Sequence, residues 1–350
     1  MGSSQEQNAP SAIQLPIIDI TNPTTTVGAQ MLKAAREFGF LYIDPKGTAF
    51  TEDLVNRQFE LSRQLFSLPD SDKEKCRINR SNRGWTGMGG ETLDPRTQRR
   101  GDLKEAFNMG EFINGRPEQP LPDLLERNIE LLSEFEASCR KVAAQILDLL
   151  GLGLQIEDGQ FFSSRHTQPS GCIFRLLHYP LLAQDSDYDP DVDIRAGAHS
   201  DYGSVTLLFQ RPSQPGLEIR TSDDTWAPVP VFPEGYESST TLPPILVNIG
   251  DLLSYWTNGL LKSTVHRVVF PKDSQRAGED RYSIAYFCHP ADQVELIPVP
   301  SRIVAEHVPD QNAEIGYGGG TPSQRALTAQ QHLFTRLEAT YGFREGASAV

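Results

Sequence analysis

His199-Ser200-Asp201 sets an imidazole and a carboxylate two residues apart, and a second imidazole, His266, follows far downstream. In an extended segment residues i and i+2 project to the same face, so His199 and Asp201 can reach one ion. His266 lies in TVHRVVF, an apolar run that reads as another strand. Two imidazoles and one carboxylate converging from two strands make a facial set that holds Fe(II) and leaves positions open for substrates and O2. A structural zinc site favours thiolates and a closed tetrahedron, which this set does not offer. His266 must bind as neutral imidazole, its second nitrogen donating to a partner the sequence does not name. An HxD triplet alone is a weak signal. His166, His178, His289, His307 and His332 read as ordinary histidines.

A second pair lies fifteen residues beyond His266, where Arg281-Tyr282-Ser283 opens the apolar strand YSIAYF. Arg281 and Ser283 share one strand face. A guanidinium beside a hydroxyl is a carboxylate clamp, because arginine can grip a carboxylate through two parallel bonds.

Elements able to position these groups can be read from periodicity. Residues 15–20 (LPIIDI) and 40–43 (FLYI) read as strands, and 28–39 and 51–66 as helices. SLPDSDKEK is a turn leading into a short polar helix. Residues 79–120 are irregular, glycine-rich and partly charged, and read as a long excursion over a surface or cleft. Residues 121–151 form the clearest amphipathic helix, with Leu125, Ile129, Leu132, Phe135, Cys139, Val142, Ile146 and Leu149 on one face. After residue 170 short β-rich runs recur between turn residues, as in a barrel or jelly roll. A helix at about 326–341 closes the chain. The expectation is a mainly β fold with flanking helices in one structural unit. It has a disordered tail at 1–13, a mixed helical region at 14–170 that packs on the core, and the β-core with its C-terminal helix at 171–350.

The chain has 350 residues and a formal charge of −14. Such acidity argues against nucleic acid and against an anionic membrane surface as partners. No apolar run reaches membrane-spanning length, and the polar start MGSSQEQNAPSA has no signal-peptide core. Four cysteines without a CxxC spacing read as free buried thiols, and the protein is expected in the cytoplasm. A small-molecule substrate is expected, with no obligate protein partner.

With these blocks in order, the chain resembles the iron(II)/2-oxoglutarate-dependent oxygenases of the isopenicillin N synthase-like branch, over roughly residues 15–345. The resemblance is carried by LPIIDI, AAREFGFLYI, RGWTGMGGE, GDLKEAFNMG, LLHYP, AHSDYGSVTLL, VNIGDLL, NGLLKSTVHRVV and RYSIAYF. It implies a double-stranded β-helix core, Fe(II) on His199, Asp201 and His266, and 2-oxoglutarate and O2 as co-substrates. It implies that Arg281 and Ser283 take the distal carboxylate of 2-oxoglutarate, with Tyr179 contacting the same group. The reaction implied is hydroxylation, desaturation or ring rearrangement of an organic small molecule, with release of succinate and CO2. The branch includes fungal enzymes of secondary metabolism and thymine-type nucleobase hydroxylases. It also includes iron oxidases of the same fold that retain the Arg-x-Ser pair without using 2-oxoglutarate. A binding protein that has lost catalysis is a further alternative, disfavoured by the intact triad.

No catalytic residue beyond the metal ligands is required. Substrate contacts are expected from Trp85, Phe107, Phe112, Tyr202 and Phe287. Three departures from the family stand out: Leu177 where plant members often carry Asn, Trp85 where many carry Tyr, and an apparent insertion at 232–244.

Overall fold

A computed structural model describes residues 12–181, 189, 193–236, 242–270, 280–309 and 327–341. The expected tail lies outside them up to residue 11, and the expected insertion between 237 and 241.

Near the N-terminus, strand β1 (Ile17–Ile18) lies parallel to β2 (Phe40–Ile43). Between them runs helix α1 (Thr25–Glu37), capped by Thr24, whose hydroxyl accepts from the Val27 amide. Gly39 ends the turn at φ +67°, where a Cβ would lie 2.3 Å from the Lys262 carbonyl, so only glycine fits. Helix α2 (Glu52–Phe66) is capped in the same way by Thr51, and the short α3 (Asp70–Lys73) follows.

The stretch at 79–120 is a loop at a cleft only in part: Ser81, Asn82, Arg83, Glu91 and Leu93 line a cavity, while other residues form strands. Strands β3 (Gly84–Thr86) and β4 (Glu105–Met109) extend the main sheet, and a small hairpin of β5 (Phe112–Ile113) and β6 (Arg116–Pro117) follows. Charged residues hid β4 from a periodicity reading. Glu105 is buried there because Lys73 Nζ (2.8 Å), Trp85 Nε1 (2.9 Å) and His178 Nδ1 (2.8 Å) surround its carboxylate. The long helix divides into α4 (Asp123–Glu126) and α5 (Ile129–Gly153). Leu132, Phe135, Cys139, Val142, Ile146 and Leu149 on α5 are all buried and face α1 and the outer side of the sheet.

Strands β7 (Ile173–Tyr179), β8 (Ala196–His199), β9 (Val205–Gln210), β10 (Leu217–Arg220), β11 (Trp226–Pro228), β12 (Ile245–Ile249), β13 (His266–Val268) and β14 (Arg281–Cys288) complete two facing sheets. The larger has the order β1-β2-β12-β9-β14-β7-β4-β3, and the smaller β11-β10-β13-β8. Phe40, Leu177, Leu246 and Ala285 of the first meet Ala196, Leu217, Ile219 and Val268 of the second in an inner core. The crossing from β12 to β13 carries α6 (Asp251–Trp256), and α7 (Arg302–Ala305) and α8 (Ala329–Tyr341) end the described chain. The architecture is the expected jelly roll with flanking helices. All four cysteines are free and buried. No helix among the described residues is long and apolar enough to cross a membrane.

Candidate active site

His199 closes β8 and His266 opens β13, and the two residues pair directly across antiparallel strands. Their rings lie 4.4 Å apart between centroids. Asp201 follows two residues after His199 and turns its Oδ1 between them, 3.8 Å from His199 Nε2 and 3.7 Å from His266 Nε2. Ligand atoms of the three residues all lie within 4.8 Å of one another.

The hydrogen bonds around the triad orient each donor atom. His199 Nδ1 is 2.7 Å from the Gly197 carbonyl and His266 Nδ1 is 3.1 Å from the Thr264 carbonyl. A carbonyl can only accept, so both Nδ1 atoms carry the proton and both Nε2 lone pairs face Asp201. The partner of His266 that the sequence left unnamed is thus a backbone carbonyl two residues back. Asp201 Oδ2 accepts from Thr206 Oγ1 (2.6 Å) and Asn248 Nδ2 (2.7 Å), leaving Oδ1 toward the imidazoles. Burial, reinforced by neighbouring His266, pushes His199 down to about 3, so its imidazole is neutral at physiological pH. Burial alone would raise the Asp201 carboxyl. The two imidazoles, His266 foremost, and the Thr206 and Asn248 bonds outweigh it and hold the group below the usual carboxylate range. Two imidazole nitrogens and one carboxylate oxygen, each oriented by a further hydrogen bond, fit a divalent iron bound on one face.

Arg281 and Ser283 lie on β14, both 1% exposed. Arg281 pairs across to Tyr179 on β7 and lies 4.8 Å above its ring. Its nitrogens donate to Ser283 Oγ (3.3 Å), Gln210 Oε1 (3.3 Å) and the Gln214 carbonyl (3.2 Å). All of these acceptors are neutral, and no carboxylate among the described residues pairs with this buried cation. A cavity of about 70 Å³ joins the clamp to the triad, lined by Tyr179, Arg281 and Ser283 at one end and His199, Asp201 and His266 at the other. Leu177, the departure from Asn, lines its wall.

A larger cavity of about 220 Å³ opens on the other side of His199 and Asp201. Tyr202 and Phe287 line it, as expected of substrate contacts, and Leu333, Phe334 and Leu337 of α8 form one wall. Trp85, Phe107 and Phe112 line neither cavity. They are buried in the hydrophobic core, Trp85 and Phe107 on the paired strands β3 and β4 and Phe112 on the β5–β6 hairpin. Sequence reading also passed over Arg175 and Glu91, an ion pair at 2.7 Å, with Lys104 2.8 Å from the same carboxylate. Arg175 lines both cavities. Glu91 and Lys104 lie in the blocks RGWTGMGGE and GDLKEAFNMG, but nothing in either marks them as partners.

Comparison with known proteins agrees with this geometry. Residues 15–129 match the sequence model described as non-haem dioxygenase in morphine synthesis N-terminal, and residues 170–290 match that of the 2OG-Fe(II) oxygenase superfamily. UPF0676 protein C1494.01 of Schizosaccharomyces pombe is 36% identical over 339 residues, covering 95% of this chain and 94% of that protein. Proline hydroxylase buaE of Petromyces alliaceus is 31% identical over 307 residues, covering 83% and 86%. Among solved structures, a full-length Neurospora crassa protein crystallised in complex with alpha-KG and thymine superposes with a TM-score of 0.74 at 27% identity, covering 93% of this chain and 96% of that one. The chain therefore belongs to the 2OG-Fe(II) oxygenase superfamily. It is an oxidoreductase, a dioxygenase that uses Fe(II) and 2-oxoglutarate.

Proposed function

We propose that His199, Asp201 and His266 hold the iron, and that Arg281, Ser283 and Tyr179 take the distal carboxylate of 2-oxoglutarate. The chain then oxidises a small organic molecule seated in the larger cavity. Bound iron supplies the activation of O2, coupled to decarboxylation of 2-oxoglutarate to succinate and CO2. The protein's own part is orientation and exclusion of water. Nε2 of each histidine and Oδ1 of Asp201 converge; the clamp fixes the far end of the co-substrate; Tyr202, Phe287 and the α8 side chains wall the substrate chamber.

The observation that carries this reading is Arg281. A buried guanidinium with only neutral acceptors is costly unless an anion completes it. The cavity that reaches it begins at the triad, as a chelating dicarboxylate requires. The test is a visible charge-transfer band on adding Fe(II) and 2-oxoglutarate without oxygen, followed by succinate formation in air. Absence of both in the wild-type chain refutes the reading.

For the substrate, a chamber walled by Phe287, Leu333, Phe334 and Leu337 and edged by Arg175 and Glu91 suits a compact, largely apolar molecule with a polar handle. Its setting is secondary metabolism, in line with the fungal proline hydroxylase among its relatives. A second reading, hydroxylation of a nucleobase, is favoured by the likeness to the Neurospora crassa structure that holds thymine. A screen of cyclic amino acids against thymine, read by succinate release and product mass, separates the two.

A further inference from the structure

Asp251 opens α6 directly beneath the turn that carries the triad, and three segments meet on its carboxylate. Ser200, which lies between the two ligands of the HxD turn, donates through Oγ to Asp251 Oδ2 (3.1 Å). Ser263, three residues before His266, donates through Oγ to Asp251 Oδ1 (2.6 Å). Arg336 of α8 reaches Oδ2 at 2.6 Å. The Asp251 amide adds a fourth tie, donating to the Asp201 carbonyl at 2.7 Å. Asp251 is buried and Arg336 nearly so, with side chains 3% and 11% exposed. The guanidinium also lies 5.3 Å from the centre of the Tyr202 ring, which lines the substrate cavity.

Asp251, Ser263 and Arg336 line neither cavity, yet they join the parts that must be in register. Ser200 and Ser263 lie on the two segments that bring the metal ligands together. Arg336 lies on the helix whose Leu333, Phe334 and Leu337 form a chamber wall. A buried ion pair is geometrically demanding, because a displaced partner leaves an uncompensated charge behind. It therefore fixes α8 in one position more sharply than apolar contacts would.

We infer that Arg336 is a positioning residue: through Asp251 it latches the C-terminal helix to both ligand-bearing segments, so that loading the metal site fixes the wall of the substrate chamber. This rests on the reading of His199, Asp201 and His266 as the metal site. Ordering of the ligand segments holds Ser200 and Ser263 against Asp251. That fixes the carboxylate on which Arg336, and with it α8, depends.

Hydrogen exchange of the full chain, without ligands and then with Mn(II) and 2-oxoglutarate, tests it. In the wild type, loading slows exchange at 196–204 and also at 327–341, the latter by roughly tenfold. In Arg336→Met the slowing at 196–204 persists and the slowing at 327–341 is lost; Arg336→Lys restores part of it. Because Arg336→Met strands a buried charge, the double variant Asp251→Asn/Arg336→Met is run beside it and behaves in the same way. Slowing confined to 196–204 in the wild type, or an unchanged response of 327–341 in the double variant, overturns the latch and leaves the metal site standing. No slowing at 196–204 refutes the metal site itself, and the latch falls with it.

Discussion

Arg281 is buried and Arg336 nearly so, and the two guanidiniums are satisfied differently. Arg336 meets a carboxylate of its own chain at 2.6 Å. Among the described residues Arg281 meets neutral groups: the Ser283 hydroxyl, the Gln210 amide oxygen, the Gln214 carbonyl and Tyr179. Burial lowers the proton affinity of Arg281, with Tyr179 opposing the shift. One cation is completed by the fold and holds an element in place. The other, on the reading proposed above, is completed by the co-substrate. Charge satisfied internally serves stability, whereas charge left open at the end of a cavity serves binding.

The sharpest way to break that contrast is to remove each charge in turn. Arg336→Met should cost about 4 kcal/mol of unfolding free energy, since it strands the buried Asp251, and a denaturant titration measures it. Asp251→Asn/Arg336→Met should recover much of that loss. Arg281→Met should do the reverse. It leaves the unfolding midpoint unchanged or raised, while 2-oxoglutarate affinity, titrated by the charge-transfer band, falls by roughly a hundredfold. Equal destabilisation by both substitutions would erase the distinction.

A pH series sharpens the picture on the α8 side. His332, buried against Tyr255, has its pKa pushed down to about 4 by burial and then by Arg336. The unfolded chain therefore binds this proton first, and between pH 6.5 and 4 it binds more protons than the folded one. The stability is complete above about 6.5 and is lost as the pH falls toward 4, by up to about 3 kcal/mol. His332→Phe should flatten that part of the profile, measured as unfolding free energy at pH 7 and pH 4.5. The smallest effect is expected at Asn248→Ala. It releases one of the two bonds on Asp201 Oδ2 and should weaken Fe(II) binding by roughly tenfold, with the clamp undisturbed.

How much of the site was legible depended on spacing. His199 with Asp201, and Arg281 with Ser283, stand two apart on or beside a strand, and period-two alternation puts each pair on one face. Thr206, Asn248 and Asp251 were not read, because nothing local marks a polar residue in SVTLL or VNIGD as facing a carboxylate on another strand. Their roles exist only through the register of β12 on β9 and the fold of α6 under the turn. The same limit produced the misplacement of Trp85, Phe107 and Phe112. Aromatic residues in a charged, glycine-rich stretch resemble a cleft wall until β4 is seen pairing with β7.

By itself the sequence determined which atoms can bind a metal and a carboxylate, the main helices, and a β-rich core after residue 170 of barrel or jelly-roll kind. Those properties follow from residue type and from periodicities of two and 3.6. Only the tertiary structure decided that β8 and β13 lie side by side, that Asp201 presents one oxygen rather than two, that Arg336 meets a carboxylate while Arg281 meets none among the described residues, and which aromatics face the chamber. Each of those is a contact between residues far apart in the chain. Such a contact depends on register and packing, which local pattern does not encode.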